Sequence, residues 1–237
     1  MRSIKFCLKL NKYLFSSFII LGIFFVLSIS IYYIERQASP FAGNSGGGSG
    51  NVSIHADKSV LQFFNKFHTA VLNQFMKFLS EYGREYFWIV VVAAMFFFGG
   101  HDGKVTALII IFSFLVIVPA NILTKDLVDR DRPPKFYDSL NTDIQTDSSY
   151  PSGHASIVSA GAIVAALFFR NTWKHKLLSS FLIIEAGLVC FSRIYLGVHY
   201  PFDILGGSLL GSGIALLFAA NTTIYERFLK IKIVNKI

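Results

Sequence analysis

Residues 177–221 read LLSSFLIIEAGLVCFSRIYLGVHYPFDILGGSLLGSGIALLFAAN. They contain two largely apolar runs, 177–192 and 204–221, joined by a short segment that carries an arginine, a histidine and an aspartate. Each run approaches the roughly 20 residues that a helix needs to cross a bilayer. We therefore expect two membrane-spanning helices whose connecting turn holds ionisable side chains at the membrane surface.

Four further apolar runs precede this pair, at 13–34, 86–100, 105–123 and 155–169. The first contains no charged residue and is longer than the hydrophobic region of a cleavable signal peptide, so we interpret it as an uncleaved anchor helix, with cleavage near Gln37-Ala38-Ser39 as the alternative. The second and fourth are short and must borrow neighbouring residues to span a membrane. The six runs predict an all-α integral membrane protein built as a six-helix bundle.

The composition supports a membrane protein. The chain of 237 residues is 53% hydrophobic and 15% charged, with a mean hydropathy of +0.54. Disordered chains have low hydrophobicity and high charge, and soluble domains carry about 25% charged residues. This composition therefore excludes disorder and disfavours a soluble globular domain.

The distribution of the net charge of +8 along the chain indicates the membrane topology. If the N-terminus lies inside, the inner segments hold 12 Lys and Arg against 2 acidic residues, whereas the outer segments hold 10 against 11. Basic residues accumulate on the cytoplasmic side of membrane proteins. We therefore expect cytoplasmic termini, and the charge gives no reason to expect a nucleic-acid partner.

The chain divides into four predicted parts. Residues 1–34 form a cytoplasmic tail and the first span, 35–57 a flexible Gly/Ser-rich outer loop, 58–221 the core, and 222–237 a basic cytoplasmic tail. Apolar residues recur every three or four positions within 57–80, which predicts one amphipathic helix. That helix lies along the outer interface or packs on the bundle, and the pattern fits both.

Several ionisable residues lie at membrane level on the predicted outer side. They include the cations Lys125, Arg132 and Arg193 and the histidines His154 and His199. Ionisable groups at the edge of the hydrocarbon are costly and usually functional. Three converging cations need an anion, and phosphate suits the planar fork of Arg and the point charge of Lys.

The residues beside these cations suit phosphoryl transfer. Ser152 and Gly153 precede a predicted helix, whose N-terminal amides can face an anion. One histidine could attack phosphorus while the other protonates the leaving oxygen. Asp203 follows His199 by one helical turn, where its carboxylate can fix the imidazole tautomer.

Three sequence motifs carry a family resemblance. Lys125-x6-Arg132-Pro133, Pro151-Ser152-Gly153-His154 and Ser192-Arg193-x5-His199-x3-Asp203 resemble, in order and internal spacing, the motifs of the type 2 phosphatidic acid phosphatase family. The resemblance covers about residues 58–221. The family also contains vanadium haloperoxidases and bacterial acid phosphatases, which are soluble, so six spans match its membrane branch.

The resemblance implies a role for each motif residue. His199 would be the nucleophile that forms a phosphohistidine, Asp203 would orient it, and His154 would protonate the leaving group and then activate water. The residues implied to bind the phosphoryl oxygens are Lys125, Arg132, Ser152, Gly153 and Arg193. The family's hydrolases need no metal or other cofactor. We expect Asp126, Asp129 and Asp131 to pair with Arg130 and Arg132 rather than to bind magnesium.

The resemblance also implies a lipid phosphate substrate at the outer face of the plasma membrane. We favour hydrolysis of a polyprenyl diphosphate to the monophosphate. The alternatives are phosphatidic acid or phosphatidylglycerol phosphate hydrolysis, lipid phosphotransfer, and non-catalytic lipid binding. Residues 136–150, which are rich in Asp, Ser and Thr, are expected to select the headgroup.

Overall fold

The computed structural model of the chain describes residues 2–38, 50–134 and 146–230. Within these ranges the chain forms nine helices and no strand. The helices are α1 (Arg2–Ala38), α2 (Gly50–Asn65), α3 (Ala70–Tyr82), α4 (Glu85–Phe98), α5 (Gly100–Val128), α6 (Gly153–Phe168), α7 (Trp173–Tyr195), α8 (Pro201–Ala219) and α9 (Thr222–Leu229). The prediction of an all-α fold is confirmed.

Four of these helices are long and apolar enough to cross a membrane. Their spans are Lys12–Gln37, Gly100–Val128, Trp173–Tyr195 and Pro201–Ala219. Helices α4 and α6 are apolar but have only 14 and 16 residues, as their short apolar runs led us to expect. Pro119 lies within α5 without ending it. The six-span arrangement therefore remains a prediction.

The centre of the bundle is the contact between α6 and α8, with α1, α5 and α7 packed around it. Glycines allow the two backbones to approach each other. A Cβ built on Gly211 would overlap the backbone of Ser156, and one built on Gly207 would overlap the carbonyl of Ser152. This packing holds the first turn of α6 beside the first turn of α8.

The single amphipathic helix predicted for 57–80 was wrong. The chain forms α2 and α3 instead, and Thr69 starts α3 because its side chain accepts a hydrogen bond from the Leu72 amide at 3.3 Å. On α3, Met76 is buried against the end of α7, whereas Phe75 and Phe78 are exposed. The apolar residues at spacings of three and four therefore lie mostly on the exposed face of α3. The face of α3 that packs on the bundle is narrower.

Two predicted segments fall partly outside the described residues. The Gly/Ser-rich loop assigned to 35–57 includes 39–49, which the structure does not describe, and its two ends are helical as parts of α1 and α2. The headgroup loop assigned to 136–150 is described only from residue 146 onward. The basic tail begins with α9 and is described as far as residue 230.

Candidate active site

The three motifs lie at the same end of the helices. Lys125 lies in the last turn of α5 and Arg193 in the last turn of α7. His154 and Asp203 lie in the first turns of α6 and α8, and His199 lies in the turn between α7 and α8. Successive long helices run in opposite directions, so these ends meet on one side of the bundle.

The segment after α5 turns back over the start of α8. Helix α5 is followed by its cap residue Asp129, whose φ of +49° is tolerated by Asp better than by most residues. The segment that leads back toward α6 is held by a hydrogen bond from the Ser149 amide to the Arg130 carbonyl at 2.7 Å. The turn thereby places Arg132 beside His199 and Arg130 beside Asp203.

His199 is held by the carboxylate of Asp203. His199 is 2% exposed, and its Nδ1 lies 3.4 Å from Oδ2 of Asp203. The same oxygen accepts hydrogen bonds from the Ser149 hydroxyl at 2.5 Å and the Tyr200 amide at 2.8 Å. A carboxylate in this position favours the proton on Nδ1. The lone pair of Nε2 then faces Arg132, whose Nη1 lies 3.5 Å away.

The surroundings of His199 keep its imidazole neutral. Burial lowers the pKa of His199 to about 3; the hydrogen bond to Asp203 opposes this shift, and the charges of Arg193 and Arg132 add to it. The imidazole is therefore unprotonated at neutral pH. A neutral imidazole whose unprotonated Nε2 lies beside a guanidinium is suited to attack an electrophilic phosphorus that the guanidinium also binds.

The other carboxylate oxygen of Asp203 pairs with Arg130. Nη1 of Arg130 lies 2.6 Å from Oδ1 of Asp203, and Nη2 lies 2.6 Å from Asp57 on α2. Nε lies 3.0 Å from Glu35 at the end of α1, and the guanidinium carbon lies 4.3 Å from the centroid of the Tyr200 ring. Arg130 is 4% exposed. It therefore joins both N-terminal helices to the carboxylate behind His199.

The ion-pair partners predicted for the two arginines were wrong. We expected Asp126, Asp129 and Asp131, but the ion pairs in the described part of the chain link Arg130 and Arg132 to more distant carboxylates. The chain leaves the helical path at Asp129, where φ is +49°, so the arginine side chains do not continue the helical spacing that would face them to Asp126. The partners come from α1, α2, α8 and the segment before α6.

Lys125 and Arg132 both form ion pairs with the carboxylate of Asp147. Nζ of Lys125 lies 2.8 Å from Oδ2 of Asp147, and Nη2 of Arg132 lies 2.7 Å from its Oδ1. Burial raises the pKa of Asp147, but hydrogen bonds and charge attraction from Lys125 and then Arg132 outweigh it and lower the pKa to about 2. Asp147 is thus anionic at neutral pH. Its two oxygens sit where two phosphate oxygens would bind these cations.

The end of α3 contacts the remaining motif residues. The Ser80 hydroxyl accepts a hydrogen bond from Nη1 of Arg193. The Ser80 carbonyl lies 3.1 Å from Nε2 of His154, and Nη1 of Arg84 lies 3.3 Å from its Nδ1. The α3–α4 turn therefore adds a fourth cation, Arg84, to the three that the sequence predicted.

Ser152 and Gly153 differ in their availability to a ligand. Ser152 is fully buried, its amide donates to the Asp203 carbonyl at 3.0 Å, and its hydroxyl caps α6. The amide of Ser152 is therefore occupied, contrary to our expectation that it faces an anion. Gly153 lines the cavity described next.

An apolar cavity of about 740 Å³ leads away from these residues between α4, α5 and α6. Its polar end is lined by Arg84, Lys125 and Gly153. Its other end is lined by side chains such as Phe96, near the far end of α4, and Ile111, near the middle of α5. The cavity is long enough along α4 and α5 to take a hydrocarbon chain while a charged headgroup reaches the cations.

Five residues that build this site were not singled out from the sequence: Ser80, Arg84, Arg130, Asp147 and Ser149, of which the last two lie in the segment 136–150 that was expected to select the headgroup. Each acts through a contact between segments distant in sequence, so no local spacing marked it. Arg84 had one available signal, because it is a cation directly before an apolar run. Within the described ranges, no group of three or more His, Cys, Asp or Glu side chains is arranged to hold a metal ion.

Comparison with known proteins gives sequence relatives over most of the chain. The profile of the PAP2 superfamily matches residues 104–225. The undecaprenyl-diphosphatase of Sulfolobus acidocaldarius is 37% identical over 210 residues, which cover 88% of this chain and 91% of the relative. Undecaprenyl-diphosphatase BcrC of Bacillus subtilis is 31% identical over 153 residues, covering 64% of this chain and 75% of the relative.

Solved structures share the fold. A transmembrane PAP2-type phosphatidylglycerolphosphate phosphatase from Bacillus subtilis matches with a TM-score of 0.63 and 22% identity, covering 91% of this chain and 98% of the other. LpxE of Aquifex aeolicus matches with a TM-score of 0.51 and 18% identity, covering 70% and 96% of the two chains. At these identities, the likeness concerns the fold.

Proposed function

Because the chain belongs to the PAP2 superfamily, we propose that it is an integral membrane phosphatase that hydrolyses a polyprenyl diphosphate to the monophosphate and inorganic phosphate. The observation that carries this proposal is the buried His199, with Asp203 at Nδ1 and Arg132 facing Nε2. The two relatives named undecaprenyl-diphosphatase support the diphosphate, and the apolar cavity beside the site supports a long lipid chain.

The first chemical step is transfer of the terminal phosphoryl group to the protein. Nε2 of His199 attacks the terminal phosphorus, and the bond from that phosphorus to the bridging oxygen breaks. The leaving polyprenyl monophosphate keeps the electron pair, and His154 supplies a proton to the leaving oxygen. The residues proposed to bind the phosphoryl oxygens are Lys125, Arg132, Gly153 and Arg193; Ser152 is left out because its amide and hydroxyl already have partners within the protein.

The second step returns the protein to its starting state. Water attacks the phosphohistidine, His154 accepts a proton from the water, and the nitrogen–phosphorus bond breaks to release phosphate. Asp203 holds the His199 ring throughout and stabilises the positive charge that the ring carries as the phosphohistidine forms. Arg130 is a positioning residue, because it reaches the reacting atoms only through Asp203.

The charge distribution supports an orientation of the protein in the membrane. Basic residues outnumber acidic ones in the segments on the side opposite the site, so we place both termini in the cytoplasm. The site then faces the outer side of the plasma membrane. The exposed apolar residues of α3, among them Phe75 and Phe78, would lie in the outer interface beside it.

Substrate ranking tests the proposed function. Phosphate release by the full chain in detergent is measured with a long-chain polyprenyl diphosphate, its short-chain analogue, phosphatidic acid and phosphatidylglycerol phosphate. We expect the highest kcat/KM for the long-chain diphosphate, since both the headgroup and the cavity are used. A higher value for either glycerophospholipid would contradict the proposed substrate, and phosphate transfer to an added lipid alcohol would indicate a transferase.

Asp147→Asn should strengthen phosphate binding. The anionic carboxylate competes with substrate for Lys125 and Arg132, whereas a neutral amide competes less. We expect the inhibition constant of orthophosphate to fall by about tenfold, the size of one modest charged interaction. The control is Asp126→Asn, which removes the same charge from an exposed position on α5. An unchanged or higher inhibition constant in Asp147→Asn would show that the carboxylate does not compete with phosphate.

A further inference from the structure

Arg84 lies beside the proposed general acid, outside the three motifs. Its Nη1 is 3.3 Å from Nδ1 of His154. A Cβ built on Gly153 would lie 3.6 Å from Nη1 of Arg84. Its other terminal nitrogen pairs with Glu85, which fixes the orientation of the guanidinium. The side chain is 28% exposed and lines the polar end of the apolar cavity, so a ligand can reach it.

The contacts of His154 identify which nitrogen meets the leaving group. Nε2 lies 3.1 Å from the Ser80 carbonyl, which can only accept a hydrogen bond. The proton on Nε2 is therefore held by the protein, and Nδ1 is the nitrogen that can exchange a proton with the substrate. The leaving oxygen must approach Nδ1, and Arg84 stands at that position.

A diphosphate and a monoester place different groups at this position. When the terminal phosphoryl group of a diphosphate occupies the cations near His199, the bridging oxygen lies at His154, and the inner phosphate follows it toward the cavity. Cleavage adds negative charge to that inner phosphate, which a guanidinium stabilises directly. A monoester leaves an alcohol there, which carries no second anion.

We propose that Arg84 binds the inner phosphate of a lipid diphosphate and thereby makes the site selective for diphosphates over phosphate monoesters. The inference rests on the proposed function and adds the contact that recognises the leaving group. The phosphorus–oxygen bond breaks toward the inner phosphate, which retains the electron pair and receives the Nδ1 proton of His154 in its doubly protonated form, leaving the ring neutral with its proton on Nε2. Arg84 exchanges no proton in this step.

The test compares two substrates in matched variants of the full chain. The variants are Arg84→Gln, Arg84→Lys and the control Arg170→Gln, which removes one exposed cation at the opposite end of α6. The kcat/KM is measured for a C15 isoprenyl diphosphate and for the corresponding monophosphate. If the wild-type protein does not turn over the monophosphate, its inhibition constant as a competitor replaces kcat/KM.

For Arg84→Gln we expect kcat/KM on the diphosphate to fall about 10- to 100-fold, with a change below about threefold for the monophosphate. Arg84→Lys should retain part of the diphosphate activity, and Arg170→Gln should match the wild type. An equal loss on both substrates would overturn the inference and make Arg84 a positioning residue for His154, while no loss on either would also overturn it. A wild-type protein that hydrolyses other lipid phosphates but not the diphosphate would refute the proposed function itself.

Discussion

His199→Gln should abolish covalent labelling of the protein and lower turnover by at least about 10⁴-fold, because no other group replaces the nucleophile. Glutamine fills a similar volume but has no lone pair of comparable basicity to direct at phosphorus. The measurement uses a polyprenyl diphosphate carrying ³²P in the terminal phosphate. The reaction is quenched in alkali, where phosphohistidine survives, and the protein is counted.

His154→Gln is the matched control for that experiment. It keeps the nucleophile, with Asp203 and Arg132 on either side of the His199 ring, and removes the group that activates water in the second step. His154 also protonates the leaving group, but a phosphate can depart as an anion whereas water attacks poorly without a base, so we expect hydrolysis to slow more than formation and the label to accumulate in this variant. Label that persists in His199→Gln would place the nucleophile elsewhere.

Arg130→Met should destabilise the folded protein by roughly 3–5 kcal/mol, because it leaves two buried carboxylates without their counter-charge. Asp57 is 1% exposed and Asp203 is fully buried, and each lies 2.6 Å from the guanidinium. The measurement is the free energy or midpoint of unfolding in detergent. Adding Asp57→Asn to the variant should recover part of the loss, since one uncompensated charge is removed.

Arg132→Met supplies the contrast within the same loop. Arg132 pairs with Asp147, whose side chain is 57% exposed. Replacing Arg132 should therefore change the free energy of unfolding by less than about 1 kcal/mol. The phosphatase activity of the Arg132→Met variant should nonetheless fall strongly, because Arg132 faces Nε2 of His199. If Arg130→Met were as stable as Arg132→Met, Arg130 would not be the link between the N-terminal helices and Asp203.

The sequence predicted those features of the fold and site that are encoded by local patterns. Apolar runs near the bilayer thickness predicted the long helices, and the spacing from His199 to Asp203 predicted their contact across one helical turn. Charged residues at the ends of spans predicted that Lys125, Arg193 and His154 meet on one side. In each case a short segment carried the whole signal.

The remaining parts depend on contacts between distant segments. Arg130 draws its partners from Glu35 and Asp57, which lie 95 and 73 residues away, and no spacing rule connects them. The division of 57–80 into α2 and α3 depends on the cap at Thr69 and on packing against α7. The occupied amide of Ser152 follows from the glycine-mediated approach of α6 and α8.

The most direct test of the central claim is the release of inorganic phosphate from a long-chain polyprenyl diphosphate by the full chain in detergent with EDTA. His199→Gln serves as the blank. We predict that the wild-type protein releases phosphate at an undiminished rate in EDTA and that the variant releases none above background. Release that requires a divalent metal, or that continues in the variant, would contradict histidine-based hydrolysis of a lipid diphosphate.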